Sequence, residues 1–382
     1  MKNKKWIFAI IAVIAVIGFS FSACDAGNDN NGNKNGTEST GDPCRIRLMN
    51  YLADEYGKSI ISGQMDTAWT TNSSMDMINR VYTDTGKYPA IKGFDFIDLP
   101  NSWSNYGKDQ VNEAVEWWDG KNNNVKLLSG KPDIHGIVTF CWHWRTGSAK
   151  EFYTNQTTFR IPYKNGSLDV DSADFKNTII SDLDKVAALL AILRDKNIPV
   201  LWRPLHEAAG GWFWWGASGA EPFIALWEYM HDYLTNKKGL NNLIWVWNGQ
   251  HKDWFPDPST VDIAGYDVYL PAKSYVSAVG KFNETVNMVP EKNLMVALSE
   301  NGSIPDPDNC IKDKAMWSWF MTWNDSFGSK QGDTNKDNFW TGEFNNTQEH
   351  KVKVYNHPAV ITLDKLPDLT NYRVEGGYDV TN

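Results

Sequence analysis

Short apolar runs alternate with longer stretches of mixed polarity between about residue 45 and residue 368. The runs have the length and composition of buried β-strands, and several of the stretches between them read as helices. The predicted strands are residues 60–64, 90–96, 136–144, 199–207, 243–250, 263–269, 295–300 and 317–323. The predicted helices are residues 45–57, 108–119, 172–196, 221–238, 274–289 and 306–315.

Strands that alternate with helices along a chain predict a parallel sheet covered by helices. Eight such units predict an α/β fold of the (β/α)8 or TIM-barrel type, formed by a single domain. An open, doubly wound sheet is the alternative. That fold requires a phosphate- or cofactor-binding turn after an early strand, and the chain contains neither a GxGxxG nor a Walker sequence.

The N-terminus does not continue this pattern. Three lysines among the first five residues precede the almost wholly apolar residues 6–21, a segment shorter than the about 20 residues of a membrane-spanning helix. We therefore interpret residues 1–23 as a signal peptide. Small residues before Cys24 resemble the cleavage site of bacterial lipoproteins, which predicts lipid attachment to Cys24. Plain secretion, with cleavage near Ala23, is the alternative.

Residues 25–43 contain no aliphatic side chain larger than alanine. They cannot bury enough apolar surface to fold, so residues 24–43 are predicted to form a flexible tether. Residues 44–382 remain as the folded domain. With a lipid on Cys24, this organisation predicts a protein anchored to a bacterial membrane, at the cell surface or on the outer membrane. Without the lipid it predicts a secreted protein.

The composition restricts the classes of function. The formal charge is −9 and the chain has no long basic run, so nucleic acid is not a predicted partner. Cysteines stand at positions 44, 141 and 310 of the folded domain without any CxxC spacing, so no metal site is predicted, while one disulfide stays open. The 19 tryptophans outnumber the 17 phenylalanines and the 15 tyrosines, an excess that requires an explanation.

Two glutamates stand where a barrel carries its chemistry, at the carboxyl ends of strands. Glu207 ends the fourth predicted strand and Glu300 ends the seventh. These strands lie three apart in a ring of eight, so their ends face each other across the mouth of the barrel. A pair of carboxyl groups, one protonated and one ionised, is what hydrolysis of a glycosidic bond requires.

The alternation of side chains along a strand extends this prediction below the mouth. Arg203 and Leu205 are predicted to share the face of Glu207. Arg203 would then lie below the carboxyl group, where a buried cation polarises a carboxylate. By the same rule, Val296 and Leu298 share the face of the second glutamate and fill the barrel.

An aromatic loop follows Glu207 directly. Residues 212–215 read Trp-Phe-Trp-Trp and are bracketed by glycines. Sugar rings present C–H faces that stack on indole rings, so such a loop suits a carbohydrate cleft. We expect about two of the four aromatic side chains to contact substrate, and Phe213 with at least one tryptophan to pack beneath the loop.

Several motifs together identify a family. They are RPLHE at 203–207, GWFWWG at 211–216, SGQ at 62–64, GYDVY at 265–269, SE at 299–300 and HPAVITLD at 357–364. This combination resembles glycoside hydrolase family 26, the β-mannanases, over roughly residues 45 to 370. The combination is highly specific, whereas the RPLHE motif alone would only be suggestive.

The resemblance implies hydrolysis by double displacement with retention of configuration. Glu207 matches the acid/base of the family and Glu300 matches the nucleophile, which implies carboxyl groups about 5–5.5 Å apart. Tyr269 matches the tyrosine that donates a hydrogen bond to the nucleophile. Hydrolysis requires no cofactor.

The resemblance also implies the residues that contact substrate. His206 and His143 match contacts to the sugar at subsite −1, Trp212 matches a contact on the +1 side, and Trp323 matches the platform beneath the −1 sugar. The complete set of predicted substrate-binding residues is His143, Arg203, His206, Trp212, Trp215, Tyr269 and Trp323.

Three positions stay open. Family members often carry a polar residue where this chain has Ala209, and arginine where it has Asn324, which leaves the outer glycone subsites undefined. Asp95 ends the second predicted strand. It could bind sugar hydroxyls or cap a turn, and the sequence favours neither role.

The predicted activity is endo-β-1,4-mannanase, acting as a monomer on mannan, glucomannan and galactomannan and on manno-oligosaccharides, with the membrane involved only through the lipid anchor. One alternative is hydrolysis of another β-glycan, such as mixed-linkage glucan, by the same machinery. A second is a non-catalytic, glycan-binding surface lipoprotein. That alternative is disfavoured because a binding protein has no need of two carboxyl groups on facing strand ends.

Overall fold

The computed structural model describes residues 42–66, 76–99, 106–120, 135–146, 151–288 and 294–376. The predicted signal peptide, Cys24 and nearly all of the predicted tether lie outside these residues. Within them, no helix combines the length and the apolar character needed to cross a membrane.

Eight parallel strands close into a barrel. They are β1 (Ile60–Met65), β2 (Ile91–Asp95), β3 (Ile137–Cys141), β4 (Val200–Arg203), β5 (Leu243–Trp247), β6 (Ile263–Val268), β7 (Met295–Asn301) and β8 (Trp319–Thr322). Each strand pairs with the next one along the chain, and β8 pairs with β1, with Ile61 opposite Trp319. A short strand, Val360–Ile361, pairs with the start of β1. All eight predicted strands are present, and the (β/α)8 prediction is confirmed.

The helices that the structure describes surround this barrel. They are α1 (Pro43–Glu55), α2 (Asp76–Thr85), α3 (Tyr106–Asp119), α4 (Ser181–Arg194), α5 (Ala220–His231), α6 (Val279–Val286), α7 (Pro307–Asp313) and α8 (Gln348–Tyr355). The π-helical turns Phe175–Ile180 and Asp232–Lys237 adjoin α4 and α5. A small hairpin, Tyr163–Lys164 with Ser167–Leu168, lies in the excursion after β3.

Two helices, α2 and α8, were not predicted from the sequence. In α8 the stretch Lys351–Val354 alternates between charged and apolar residues, which is the pattern of a strand. The structure buries His350, Lys351, Val354 and Tyr355 instead. Lys351 can be buried because its ammonium group donates to Asp84 at 2.7 Å.

Most of the tryptophan side chains are buried in the hydrophobic core. The fully buried tryptophans are Trp142, Trp144, Trp202, Trp214, Trp215, Trp227, Trp245, Trp247, Trp317 and Trp340. Several pack on one another, as Trp142 does on Trp144 with ring centroids 4.1 Å apart. Rings of this size fill the space between strands and helices and fix the strand ends on which the loops stand.

A β-bulge interrupts β7 at its carboxyl end. Tyr266 of β6 lies opposite Leu298, but its neighbour Asp267 lies opposite Glu300, so Ser299 is the extra residue. Ser299 lines the barrel interior together with Arg203. The bulge therefore turns two successive side chains, Ser299 and Glu300, towards the inside of the barrel.

The bulge corrects the predicted filling of the barrel. Leu298 lies in register with Phe320, whose ring packs against Tyr355 of α8. Residues in register on adjacent parallel strands share a face, so Leu298 and Val296 point outward, towards the helices. The prediction that they share the face of Glu300 is wrong, because strict alternation does not survive an inserted residue.

A buried arginine fastens α2 to the loop between β8 and α8. Arg80 donates to Asp325 at 2.9 Å, to the Ser329 hydroxyl at 2.9 Å and to the Thr341 hydroxyl at 2.8 Å. Asp325 also accepts the backbone N–H groups of Trp340 and Thr341. Both partners of the ion pair are almost completely excluded from solvent.

We expect Arg80→Met to lower the free energy of unfolding by about 3–5 kcal/mol, because it leaves the Asp325 charge buried without its cation. Urea denaturation measures this. The matched control is Lys176→Met, which removes an exposed lysine paired with the exposed Asp171 and should cost less than about 1 kcal/mol. Equal losses in the two variants would contradict the assigned role of Arg80.

Candidate active site

Glu207 stands on a turn rather than on the strand itself. β4 ends at Arg203, and the backbones of Leu205 and Glu207 are both left-handed, with φ of 53°. This conformation is costly for residues with side chains and persists only where neighbours enforce it. The N–H of Glu207 donates to the carbonyl oxygen of Asn248 at 2.7 Å, and this bond holds the turn in place.

Glu300 is held through both of its carboxylate oxygens. Arg203 donates to Oε1, and the Tyr269 hydroxyl donates to Oε2 at 2.6 Å. Arg203 also donates to Asp267 at 2.9 Å. The carboxylate is buried, and its orientation is fixed before any substrate is present.

The two predicted catalytic glutamates meet in the barrel mouth. A carboxylate oxygen of Glu207 lies within 4.8 Å of one of Glu300, and Asp267 contributes an oxygen within the same distance of both. Retaining glycosidases place their two carboxyl groups about 5–5.5 Å apart, and inverting enzymes about 6.5–9.5 Å, to admit a water molecule. The separation observed here suits direct attack on the sugar.

The two carboxyl groups have different electrostatic surroundings. Burial, followed by repulsion from Asp267 and Glu300, raises the pKa of Glu207 to about 9, and the Trp212 indole and Arg203 oppose this shift. Burial and Asp267 raise the pKa of Glu300 to about 7, with Arg203 as the main opposing influence. Glu300 therefore ionises first, and Glu207 keeps its proton.

A polar network that the sequence did not single out supports both glutamates. The Asn248 amide donates to Asp267 at 2.7 Å and to the Ser299 hydroxyl at 2.6 Å. Ser299 in turn donates to Asp267 at 2.7 Å. The backbone carbonyl oxygen of Asn248 also accepts the N–H of Glu207. Asn248 therefore connects the residues that hold Glu207 with those that hold Glu300.

Two histidines form part of the cleft surface. His143 follows β3, and its Nε2 atom lies 3.1 Å from Nε2 of His206. The backbone N–H and ring Nδ1 of His143 contact Asp95 at 3.0 and 2.6 Å. Asp95 is completely buried. The sequence left two roles open for Asp95, binding sugar hydroxyls or capping a turn. The structure supports the capping role, because Asp95 contacts both the backbone and the ring of His143 and lies away from the cleft surface.

The aromatic loop divides into one exposed ring and three buried ones. The Trp212 side chain is 44% exposed, and its Nε1 donates to Glu207 at 2.9 Å. Phe213 reaches the edge of the cleft from a mostly buried position. Trp214 and Trp215 lie beneath the loop, where Trp214 Nε1 donates to the carbonyl oxygen of Trp144.

Most of the predicted site residues share one cleft. Its lining comprises Ile97, His143, Phe152, Tyr153, His206, Glu207, Trp212, Phe213, Tyr269, Glu300, Trp323 and Phe339. Two predicted substrate contacts are corrected. Trp215 is fully buried and donates to the carbonyl oxygen of His206 at 2.8 Å. Arg203 lies beneath the carboxylates, where its donors are directed at Asp267 and Glu300.

The sequence did not identify two aromatic walls of the cleft, Tyr153 and Phe339. Tyr153 comes from the excursion after β3 and stacks on Phe213 at 5.3 Å. Phe339 comes from the loop after β8 and lies 5.4 Å from the Tyr269 ring. One edge of the Phe339 ring also lies against Gly302, where any Cβ atom would come within 2.8 Å of the ring. Long loops bring these residues in, so strand-end position gives no signal for them.

A (β/α)8 barrel with two carboxyl groups at this separation, over a cleft lined by aromatic rings, is the arrangement of a glycoside hydrolase. Comparison with known families agrees with this class. The profile of glycosyl hydrolase family 26 matches residues 39–365. The chain belongs to this family.

Curated relatives cover most of the chain. A mannan endo-1,4-beta-mannosidase of Thermothelomyces thermophilus is 34% identical over 329 residues, which are 84% of this chain and 60% of the relative. Mannan endo-1,4-beta-mannosidase B of a Piromyces species is 33% identical over 343 residues, 88% of this chain and 54% of the relative. The chain thus spans little more than half the length of these relatives.

Solved structures share the fold. The Podospora anserina GH26-CBM35 beta-(1,4)-mannanase is 33% identical, with a TM-score of 0.68, and the match covers 90% of this chain and 71% of that one. The beta-mannanase from a symbiotic protist of the termite Reticulitermes speratus, solved with a gluco-manno-oligosaccharide, is 29% identical. Its TM-score is 0.70, with 86% and 96% of the two chains covered.

The pair of pKa values predicts a bell-shaped dependence of kcat/KM on pH. Activity rises as Glu300 ionises and falls as Glu207 loses its proton, so both limbs lie above the ordinary pKa of a glutamate, about 4.3. Tyr269→Phe removes a donor to ionised Glu300. It should move the acid limb upward by about one pH unit, because such a bond contributes about 1.5 kcal/mol.

Initial rates between pH 4 and pH 11 measure both limbs. Tyr233→Phe is the matched control, since its hydroxyl group donates to Asp184 at the surface, and its profile should coincide with that of the wild type. An acid limb that stays in place in Tyr269→Phe would contradict the assigned contact between Tyr269 and Glu300.

Proposed function

We propose that this protein is an endo-acting β-1,4-mannanase that hydrolyses mannan, glucomannan and galactomannan with retention of configuration. The observation that carries the proposal is the approach of Glu207 and Glu300 to within 4.8 Å in an aromatic cleft. The choice of mannan rests on the names of two relatives, each a mannan endo-1,4-beta-mannosidase that matches more than four fifths of this chain.

In the first step, the ionised Glu300 attacks the anomeric carbon while Glu207 transfers its proton to the departing glycosidic oxygen. The C–O bond breaks, the shortened chain leaves, and a covalent glycosyl ester forms on Glu300. In the second step, Glu207, now a carboxylate, takes a proton from water as that water attacks the same carbon. The ester bond to Glu300 breaks, and both glutamates return to their starting states.

The residues around the two glutamates assist these two reaction steps. Arg203 and Tyr269 stabilise the ionised form of Glu300 and fix its direction of attack. Trp212 contacts the Glu207 carboxyl group from the exposed side of the cleft, where the leaving sugar would stack on its ring. Trp323 lies across the mouth, 5.7 Å from the His143 ring, and would support the sugar that undergoes attack.

The test is product analysis on mannan, glucomannan, lichenan and xylan. We expect internal cleavage of the two mannose-containing polymers, with the β-anomer appearing first by NMR. Glu300→Gln should lower kcat on mannan by at least about a thousandfold, since it removes the nucleophile. Glu284→Gln, which changes an exposed glutamate paired with Lys281, is the control and should retain activity. Cleavage of lichenan alone, or full activity of Glu300→Gln, would contradict the proposal.

We further propose that the chain is a bacterial lipoprotein. Residues 1–23 act as the signal peptide, Cys24 carries the lipid, and the polar residues from Cys24 up to the start of α1 at Pro43 are the tether between the membrane and the barrel. The support is the order of the segments: a basic start, an apolar stretch, small residues and a cysteine, then a polar region. The barrel would act as a monomer, since residues of one chain supply both carboxyl groups and the cleft.

Cys24→Ser tests the anchor. In a bacterial host that processes lipoproteins, the wild-type protein should sediment with membranes and carry diacylglycerol on its N-terminal peptide by mass spectrometry. The variant should lack the lipid, because serine offers no thiol for attachment. Cys310→Ser, a buried free cysteine, controls for the loss of a thiol. An unmodified Cys24 in the mature wild-type protein would contradict the lipoprotein proposal.

A further inference from the structure

Three side chains form a row beneath the mouth of the barrel. Asp95 ends β2, His143 follows β3 and His206 follows β4, so each stands one strand further round the ring. Asp95 contacts Nδ1 of His143 at 2.6 Å, and Nε2 of His143 contacts Nε2 of His206 at 3.1 Å. The row ends directly before Glu207 in the sequence.

The position of each proton in this row can be derived from the buried Nδ1 atom of His206, at the end of the row. Nδ1 of His206 is buried and has no hydrogen-bond partner among the residues that the structure describes. A buried N–H without a partner is rarer and more costly than a buried acceptor, so this nitrogen carries the lone pair. Burial and the neighbouring His143 and Arg203 lower the pKa of His206, which keeps its ring neutral. Its single proton is therefore on Nε2.

The remaining protons are then determined. Two nitrogens 3.1 Å apart share one proton, so Nε2 of His143 accepts from His206 and carries none of its own. The proton of His143 is on Nδ1, directed at Asp95. Burial opposes ionisation of Asp95, but the contacts with His143 and the charge of Arg203 hold the pKa of Asp95 below its usual range.

We propose that Asp95 is a positioning residue that sets the tautomers of His143 and His206, and through them the orientation of the two rings in the cleft floor beside Glu207. The inference rests on the proposed function, because the cleft floor acts on the reaction only if a sugar binds there. Both rings line the cleft. Each of the four ring nitrogens is paired within the row or buried, so a change of tautomer acts on a bound sugar by displacing the two rings.

An isosteric substitution of Asp95 would change the tautomers of both histidines in the row. In Asp95→Asn, the side-chain oxygen must still accept the backbone N–H of His143, which bonds to Asp95 at 3.0 Å. The amide nitrogen then faces the ring and donates to Nδ1, so the proton of His143 moves to Nε2. His206 must accept it and shift its own proton to Nδ1, where the structure offers no acceptor. A change at β2 is thus transmitted to the residue that precedes Glu207.

The test measures the histidine tautomers by NMR and the activity by kinetics, each independently of the other. Long-range ¹H–¹⁵N NMR of protein labelled in histidine should show His143 protonated on Nδ1 and His206 protonated on Nε2 in the wild type. In Asp95→Asn, both assignments should reverse, and kcat on mannan should fall by about 10- to 100-fold, the usual effect of removing a partner that orients a functional histidine.

The matched control is Asp182→Asn. Asp182 is also buried near β3 and accepts from Trp144 Nε1 at 3.0 Å. This variant should keep both tautomers and most of the activity. Wild-type spectra with His143 protonated on Nε2 would overturn the inference even if Asp95→Asn did not fold. Equal kcat values in the two variants would overturn it as well. A wild type inactive on mannan would instead refute the proposed function, since the tautomers are read without substrate.

Discussion

The structure depends on one buried cation. Arg203 lies beneath the barrel mouth between Asp267 and Glu300, and desolvating three charged groups would be prohibitive if any of them lacked its partner. The bulge in β7 makes the arrangement possible, because it turns Ser299 towards Asp267 and Glu300 towards Arg203 together. The active-site carboxylate is therefore part of the ion-pair network on which the barrel interior is built.

The same network separates the roles of the two glutamates. Glu300 has Arg203 and Tyr269 as donors, whereas Glu207 has only the Trp212 indole as a donor among the described side chains and lies close to two other acids. One carboxyl group is thus stabilised as an anion and the other is kept protonated. The left-handed turn at Glu207 positions its carboxyl group, since it brings an oxygen of this group to within 4.8 Å of one of Glu300.

The sequence predicted the barrel well because each strand is a compact apolar run, and it predicted the two glutamates because strand ends carry the chemistry of this fold. It missed α8, where a buried lysine disrupts the helical pattern. It also misplaced Leu298, because an inserted residue leaves no mark in the alternation. Position at a strand end or in the aromatic loop could not distinguish side chains that face the cleft from those that support it, so Arg203 and Trp215 were predicted to contact substrate while Asn248 went unnoticed.

A covalent bond between Glu300 and the sugar is the central step of the proposed reaction. The most direct measurement is mass spectrometry of proteolytic peptides after incubation with a 2-deoxy-2-fluoro-mannosyl substrate that carries an activated leaving group, because the fluorine slows release of the ester. We expect a fluoromannosyl adduct on the peptide that contains Glu300, and no adduct in Glu300→Gln. An adduct on another residue, or inverted products with no adduct at all, would contradict it.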